Sequence, residues 1–428
     1  MPYRTLSKPT SNKAHMAKKK VNIDQLKVGM YMEADIKEGV KGSSSANVKL
    51  LGKGVLITSV NQIRRIKEAG LSNVTIDTSK GTDAEGGEIL SAPLEAPKQR
   101  EAKKKPLPPG RKTEYREALK IAKKTKSAVT NALKDVMGNV AMGGTMDQAK
   151  LKVAGKLMTQ AIFQNVDAMV GLTRIKEHDA YTAAHCVNVA TLVLAVAFAD
   201  GMDQTTCEML ASAALLHDIG KTKVPLEILN KPGRFEPFEL AEMRKHTLYG
   251  EEILTEMGGI SEEMMFIATQ HHEMWNGSGY PHKLTGQQIH RFGQMTAVAD
   301  VYDALTAARV YKPALPPHFA LSRIYGNRDK EFSADIVDLF IKSLGLYPVG
   351  SLVLLNTEEV AIVYEPNPLN PKKPKVGIIR TRYGKERHVP VIMDLDDDNS
   401  GEHREIMQVL DPAKYNIDIE AFLKRIAS

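Results

Sequence analysis

Nine of the twelve histidines (His178, His185, His217, His246, His271, His272, His282, His290 and His318) fall within 141 consecutive residues. An even spread over the chain would place about four there. The same window has a helical texture. The runs Val187–Ala199, Cys207–Leu216, Pro237–Met257 and Ile260–His272 carry apolar residues at helical spacing, and strand-like alternation is missing. A fold built from these segments must bring imidazoles into a helical core. Each one is then either satisfied singly or shares a common centre with others.

Several classes are excluded at once. Two cysteines, Cys186 and Cys207, cannot build a disulfide framework or a four-cysteine zinc site. The longest apolar run, Val189–Ala199, is far shorter than the roughly 20 residues that a membrane span needs, and is expected to be a buried helix. Residues 1–20 lack an apolar leader segment. They are expected to be disordered, with Met16 as an alternative start, and the location is expected to be cytoplasmic. The formal charge of +7 is mildly basic.

Residues 21–80 read as a small α+β domain. Strand-prone runs at Gly54–Ser59 and Asn73–Asp77 flank a helix that starts after Ser59, carries Val60, Ile63 and Ile66, and ends at Gly70. Residues 81–112 read as a Pro/Gly/Lys-rich linker. Residues 98–128 carry twelve Lys and Arg against three Glu, without an aromatic platform, and read as a solvated basic stretch rather than a nucleic-acid surface. Connecting helices are expected over 113–174 and a helical catalytic domain over 175–345. A β-rich module follows over 346–428. Its strands are expected at Ser351–Leu355, Glu359–Tyr364, Lys375–Thr381 and Val389–Leu395, with a final helix near Ile417–Ile426.

The chemistry concentrates in His217-Asp218-Ile219-Gly220-Lys221, at the end of an apolar helix. Imidazole nitrogen and carboxylate oxygen suit octahedral divalent metals, and a carboxylate can bridge two of them. Lys221, four residues after His217, would share its helical face and meet a phosphate. An isolated His-Asp pair is weak, because such dipeptides are common. With His185 before it and His246, His271, His272 and Asp300 after it, five histidines and two aspartates recur at helix ends or on helix faces. Seven separate structural coincidences are then the poorer explanation.

Residues 175–345 resemble the HD-GYP domain, a subgroup of the HD phosphohydrolases. The resemblance rests on Tyr181-Thr182…His185, His217-Asp218…Lys221, Pro225…Ile228-Leu229-Asn230-Lys231-Pro232-Gly233, His246…Gly250, His271-His272-Glu273, Asn276-Gly277-Ser278-Gly279-Tyr280-Pro281, Ala299-Asp300…Asp303-Ala304-Leu305-Thr306 and Arg309…Tyr311-Lys312. VNIDQLKVGMYM resembles the opening of a small N-terminal domain of unknown function that often precedes HD-GYP domains. LYPVGSLVLLNTEEVAIV resembles the β-rich extension that often follows them.

The resemblance implies a mainly α, HD-type helical bundle flanked by the small α+β domain and the β-rich module. It implies metal-dependent hydrolysis of bacterial cyclic di-GMP to pGpG, with GMP as a further product left open, through a hydroxide shared by two metals. Fe or Mn would be held by His185, His217, Asp218, His246, His271, His272 and Asp300, with Asp218 bridging. Lys221, Arg309 and Lys312 would contact phosphate. Gly279, Tyr280 and Pro281 would form the signature loop, where substrate and diguanylate-cyclase (GGDEF-type) partners are proposed to bind. A homodimer is compatible with this.

Members that hold three metals carry a glutamate where this chain has Tyr181, so two metals are expected. The general acid is left unassigned, Asp303 included. Trp275 is read equally as a stacking or a packing residue. His178, His282, His290 and His318 are expected outside the centre, and Cys186 is expected to be a small packing residue. The competing readings are a module that binds the nucleotide without turnover and an HD phosphohydrolase acting on another cyclic dinucleotide.

Overall fold

The computed structural model describes residues 18–27, 30–32, 55–57, 63–64, 66–67, 73–77, 115–175, 181–258, 260–307, 314–397 and 402–427. The chain forms two compact units, Met1–Leu94 and Glu95–Ser428.

In the first unit, strands β1 (Lys18–Asn22), β2 (Tyr31–Met32), β3 (Val55–Leu56) and β4 (Asn73–Asp77) make one antiparallel sheet in the order β1-β4-β2-β3. Leu26, Met30, Met32, Ile57, Ile66 and Ile76 form its core. Ile63 and Ile66 are helical, while Ser59, Val60 and Gly70, the expected helix boundaries, lie outside the described residues.

The expectation of a disordered stretch through residue 20 needs correction. Lys18, Lys19 and Lys20 lie in β1 and pair with Asp77, Ile76 and Thr75. The lysine run hid the strand, because composition alone made it look like a solvated tail. Lysine is nevertheless a common edge-strand residue, since its charge discourages further pairing, and Lys18 stands opposite Asp77.

The second unit is a helical bundle joined to a sheet. Its helices are α1 (Tyr115–Ala141), α2 (Gln148–Gln164), α3 (Val166–Leu172), α4 (Tyr181–Ala199), α5 (Gln204–Leu215), α6 (Leu226–Leu229), α7 (Pro237–Arg244), α8 (His246–Met257), α9 (Glu262–Gln270), α10 (Arg291–Thr306), α11 (Pro317–Gly326) and α12 (Ala334–Leu344). Local chemistry sets many starts. Asp147, Asn165, Asp203 and Ser261 each accept a hydrogen bond from a backbone N–H of the helix that follows.

Helix α4 is apolar on nearly all sides, and its window Thr182–Ala199 is long and apolar enough to cross a membrane. Most of that window is buried by the surrounding helices, which fits the central helix of a bundle. The helix packs against α5, α10 and α12.

Strands β5 (Leu352–Leu355), β6 (Val360–Glu365), β7 (Lys375–Arg380), β8 (Glu386–Asp394) and β9 (Ile406–Leu410) form an antiparallel sheet in the order β8-β7-β6-β5-β9. Four coincide with the expected runs. The fifth, β9, follows a charged segment and carries too short a pattern to stand out. A short helix, α13 (Pro412–Tyr415), leads into α14 (Ile419–Ala427), which supplies Phe422 and Leu423 to one face of the sheet. The other face buries Val353, Val363, Val376 and Ile378.

Phe422 is 1% exposed and sits among Val349, Leu352, Val360 and Ile362. Replacing it with alanine is expected to destabilise the C-terminal module by about 3–5 kcal/mol. Chemical denaturation followed by circular dichroism would measure that loss. A change below about 1 kcal/mol would show that α14 does not brace the sheet.

Candidate metal centre

The site is assembled where helices end. Helix α5 stops at Leu215, and the chain tightens into a turn of 3₁₀ helix at Ile219–Lys223. His217 and Asp218 lie in the connection between them. The expectation that Lys221 shares a face with His217 therefore fails. In 3₁₀ geometry positions three apart align, so Lys221 meets Asp218 instead, Nζ to Oδ2 2.5 Å. Gly220 lets this turn approach α8. A β-carbon there would fall 1.8 Å from the His246 carbonyl oxygen and 2.4 Å from the Gly250 nitrogen. Only glycine allows the two backbones this close.

Around Asp218 the structure gathers all seven expected ligands. The two carboxylate oxygens face different groups. Oδ1 lies 3.4 Å from His246 Nε2 and 3.8 Å from His271 Nε2. Oδ2 lies 3.4 Å from His217 Nε2 and 3.7 Å from His185 Nε2. His185 Nε2 is also 3.0 Å from Asp300 Oδ1, and His272 Nδ1 is 3.9 Å from Asp300 Oδ2. Donor atoms of His246, His271 and His272 are mutually close enough to share one ion, and so are those of His185, His217 and Asp300.

The tautomers follow from the partners. His217 Nδ1 faces the carbonyl of Ala214 at 2.8 Å, His246 Nδ1 that of Met243 at 2.7 Å, and His271 Nδ1 that of Ala268 at 2.9 Å. A carbonyl only accepts, so each Nδ1 carries a proton, and Nε2 offers a lone pair wherever the ring is neutral. The Nε2 atoms of His246 and His271 then face each other at 3.3 Å without a proton between two neutral rings. His217 Nε2 and Asp218 Oδ1 are fully buried without a hydrogen-bond partner. Converging buried lone pairs of this kind repel one another unless a cation joins them. The donor set therefore fits divalent metal.

The electrostatics divide the site. Burial works against charging His185, but hydrogen bonds to Asp300 and Asp303 outweigh it and push the imidazole up to about 9. Burial likewise opposes protonation of His217, and the neighbouring Asp218 overcomes it. On the other side, burial and adjacent imidazoles hold His271 and His272 well below the usual histidine range. Burial also lowers His246, in part offset by Asp218. Burial raises Asp218, yet Lys221 and His217 keep its carboxylate well below the ordinary range.

A supporting residue emerges at Asp303, which is 2% exposed. Its Oδ2 accepts from His185 Nδ1 at 2.8 Å and its Oδ1 from Asn188 Nδ2 at 3.0 Å. With both oxygens committed behind His185, Asp303 orients a ligand and is badly placed to protonate a leaving group. The signal was present in the sequence, since Asn188 follows His185 by three residues and Asp303 follows Asp300 by three. Each pair shares a helix face.

The Gly279-Tyr280-Pro281 loop is held by Glu273, whose carboxylate accepts from the backbone N–H groups of His282 at 2.6 Å and Leu284 at 3.0 Å. A β-carbon on Gly279 would fall 2.3 Å from the Met274 nitrogen, so the loop folds tightly onto the His271-His272 turn. The Tyr280 ring stacks on His272, with centroids 4.7 Å apart, and Arg244 lies 5.1 Å from it. Trp275 lines a small pocket with Ile289 and Phe332 and packs the base of the loop.

Arg309, Lys312 and His178 lie outside the described residues, as does the side chain of Tyr181. His290 caps α10 and stacks on Phe266, and His318 faces the Leu346 carbonyl. His282 is exposed.

Residues 156–336 match the HD domain family, and residues 18–151 match a domain of unknown function. A cyclic di-GMP phosphodiesterase of Pseudomonas aeruginosa is 30% identical over 377 residues, which is 88% of this chain and 89% of that protein. A 3'3'-cGAMP-specific phosphodiesterase of Vibrio cholerae is 34% identical over 193 residues, covering 42% of this chain and 37% of that protein. Among solved structures, a "HDG"Y"P" protein of Bdellovibrio bacteriovorus aligns over 76% of this chain and 98% of its own length, with a TM-score of 0.44 and 17% identity.

Two outcomes test the centre. Asp303→Asn should lower metal affinity by about 10–100-fold, the scale on which partners of ligating histidines act, as read by chelator competition. Unchanged affinity would remove Asp303 from the support of His185. Because His185 holds its proton up to about pH 9, an arriving cation must displace that proton. Apparent metal affinity should therefore rise with pH up to about 9. A flat profile between pH 6.5 and 9 in the same competition assay would contradict this linkage.

Proposed function

The chain belongs to the HD-GYP family of HD-domain phosphohydrolases, and from that premise we propose that it hydrolyses cyclic di-GMP to linear pGpG at the centre around Asp218. The observation that carries the reading is the division of Asp218, with one oxygen turned toward His246 and His271 and the other toward His185 and His217. A carboxylate so placed can serve two cations at once. We assign two divalent ions, Fe or Mn, to His185, His217, Asp218 and Asp300 on one side and to Asp218, His246, His271 and His272 on the other.

When bound, such a metal pair supplies the Lewis acidity that activates water and neutralises charge on the phosphodiester. The protein's own residues prepare that chemistry. Imidazoles fixed by the carbonyls of Ala214, Met243 and Ala268 need no reorientation to ligate. Lys221, partly exposed and paired with Asp218, stays protonated, because Asp218 raises it against the cost of burial. It supplies a cationic donor to the anionic substrate. Glu273 keeps the Tyr280 loop folded over His272 at the rim, where we place contact with the substrate.

The similarity to a 3'3'-cGAMP-specific phosphodiesterase supports a second reading, in which a mixed cyclic dinucleotide is the preferred substrate. The test is a turnover panel with cyclic di-GMP and 3'3'-cGAMP on metal-analysed, anaerobically prepared protein. Conversion of cyclic di-GMP to pGpG with the higher kcat/KM is expected. An intact cyclic di-GMP pool with loaded metal would overturn catalysis and favour nucleotide binding alone. Asp218→Ala should lose both metals and all turnover, and wild-type metal content in that variant would refute the bridging role.

A further inference from the structure

Cys186 follows His185 on α4 and is 0% exposed. It is not packed against apolar side chains alone. Its sulfur, a nitrogen of His217 and a carboxylate oxygen of Asp218 all lie within 4.8 Å of one another. In these same two side chains, His217 Nε2 and Asp218 Oδ1 are buried without hydrogen-bond partners. The same His217 belongs to the cluster with His185 and Asp300. The thiol thus borders the half of the centre that is rich in carboxylates, while the other half is formed mainly by imidazoles.

We propose that Cys186 is an additional, sulfur donor to the cation held by His185, His217, Asp218 and Asp300, and that it biases this position toward Fe(II) or Zn(II) and away from Mn(II). The inference rests on the metal-centre reading above and extends it to metal choice. Carboxylate and water ligands suit Mn(II), whereas thiolate sulfur is a soft donor favoured by Zn and Fe. On binding, a sulfur lone pair forms the metal–sulfur bond and the thiol proton leaves to solvent. A sulfur that is 0% exposed is also kept away from oxidants and competing thiols in solution.

The second cysteine provides an internal control. Cys207 lies on α5, and its Sγ faces the Met202 carbonyl at 3.9 Å. The experiment is cobalt substitution of the full-length protein, with visible and near-ultraviolet absorption spectra of wild type, Cys186→Ser and Cys207→Ser. Visible ligand-field bands report that cobalt is bound. A near-ultraviolet charge-transfer band reports a cobalt–sulfur bond. The expected result is both signals in wild type and Cys207→Ser, with loss of the charge-transfer band in Cys186→Ser.

Reconstitution from equimolar iron and manganese under anaerobic conditions should then shift toward manganese by about tenfold in Cys186→Ser, comparable to the effect of other single supporting groups. Ligand-field bands without a charge-transfer band in wild type would overturn the sulfur ligand and leave the metal centre standing. Failure of wild type to bind cobalt at all would overturn the centre itself, and the proposal with it. The wild-type spectrum decides between these outcomes even if Cys186→Ser does not fold.

Discussion

The carboxylate of Asp218 is the point on which the architecture turns. It is 1% exposed, surrounded by four imidazoles and one ammonium group. An ionised carboxylate at such depth is costly unless opposite charge reaches it from nearby. Much of the bundle serves that condition. Helix α5 must end before His217, the 3₁₀ turn must bring Lys221 back, and Gly220 must let α8 deliver His246. Any one of these left out would strand a buried charge. The same placement gives the carboxylate its chemical use, because its two oxygens reach two separate groups of nitrogen donors.

The imidazoles are ordered by simpler means. Three of them hydrogen-bond a carbonyl three residues earlier, within the turn that carries them. Their ring orientation is thus a local property of the helix ends and depends little on the rest of the fold. His185 is the exception, since it lies within the first turns of α4, where backbone carbonyls are engaged by the helix. It is oriented by Asp303 and Asn188 instead. The four histidines around Asp218 therefore use two kinds of support, and the support follows from where on its helix each residue stands.

The helical catalytic unit, the β-rich module and the seven gathered residues were legible in the sequence, because apolar periodicity and the order of His and Asp residues survive without coordinates. Three features were not. α-Helical spacing puts Lys221 on the face of His217, whereas the turn winds as 3₁₀ and brings it to Asp218. The strand at Lys18–Asn22 was hidden by its lysines, since charge patterning dominates a five-residue segment whose pairing partner, Asn73–Asp77, is distant in sequence. Spacing alone gives Asp303 no role. Its value depends on the rotation of α10 against α4, which sequence spacing restricts to a face without fixing which residue opposes it.

Cys186, buried on α4 and close to His217 and Asp218, shows what spacing alone leaves open. On an amphipathic helix, the neighbour of a ligand lies about 100° away and faces a different environment. That geometry made a small packing residue the natural reading. Helix α4 is not amphipathic, because its flanks are covered by α5 on one part and α10 and α12 on others. The His217-Asp218 turn at the end of α5 wraps far enough around α4 to meet both His185 and its neighbour. A central helix with partners on several sides can therefore present consecutive residues to one site. For such a helix, distance to the neighbouring turn, rather than position on a wheel, decides which side chains the site can reach.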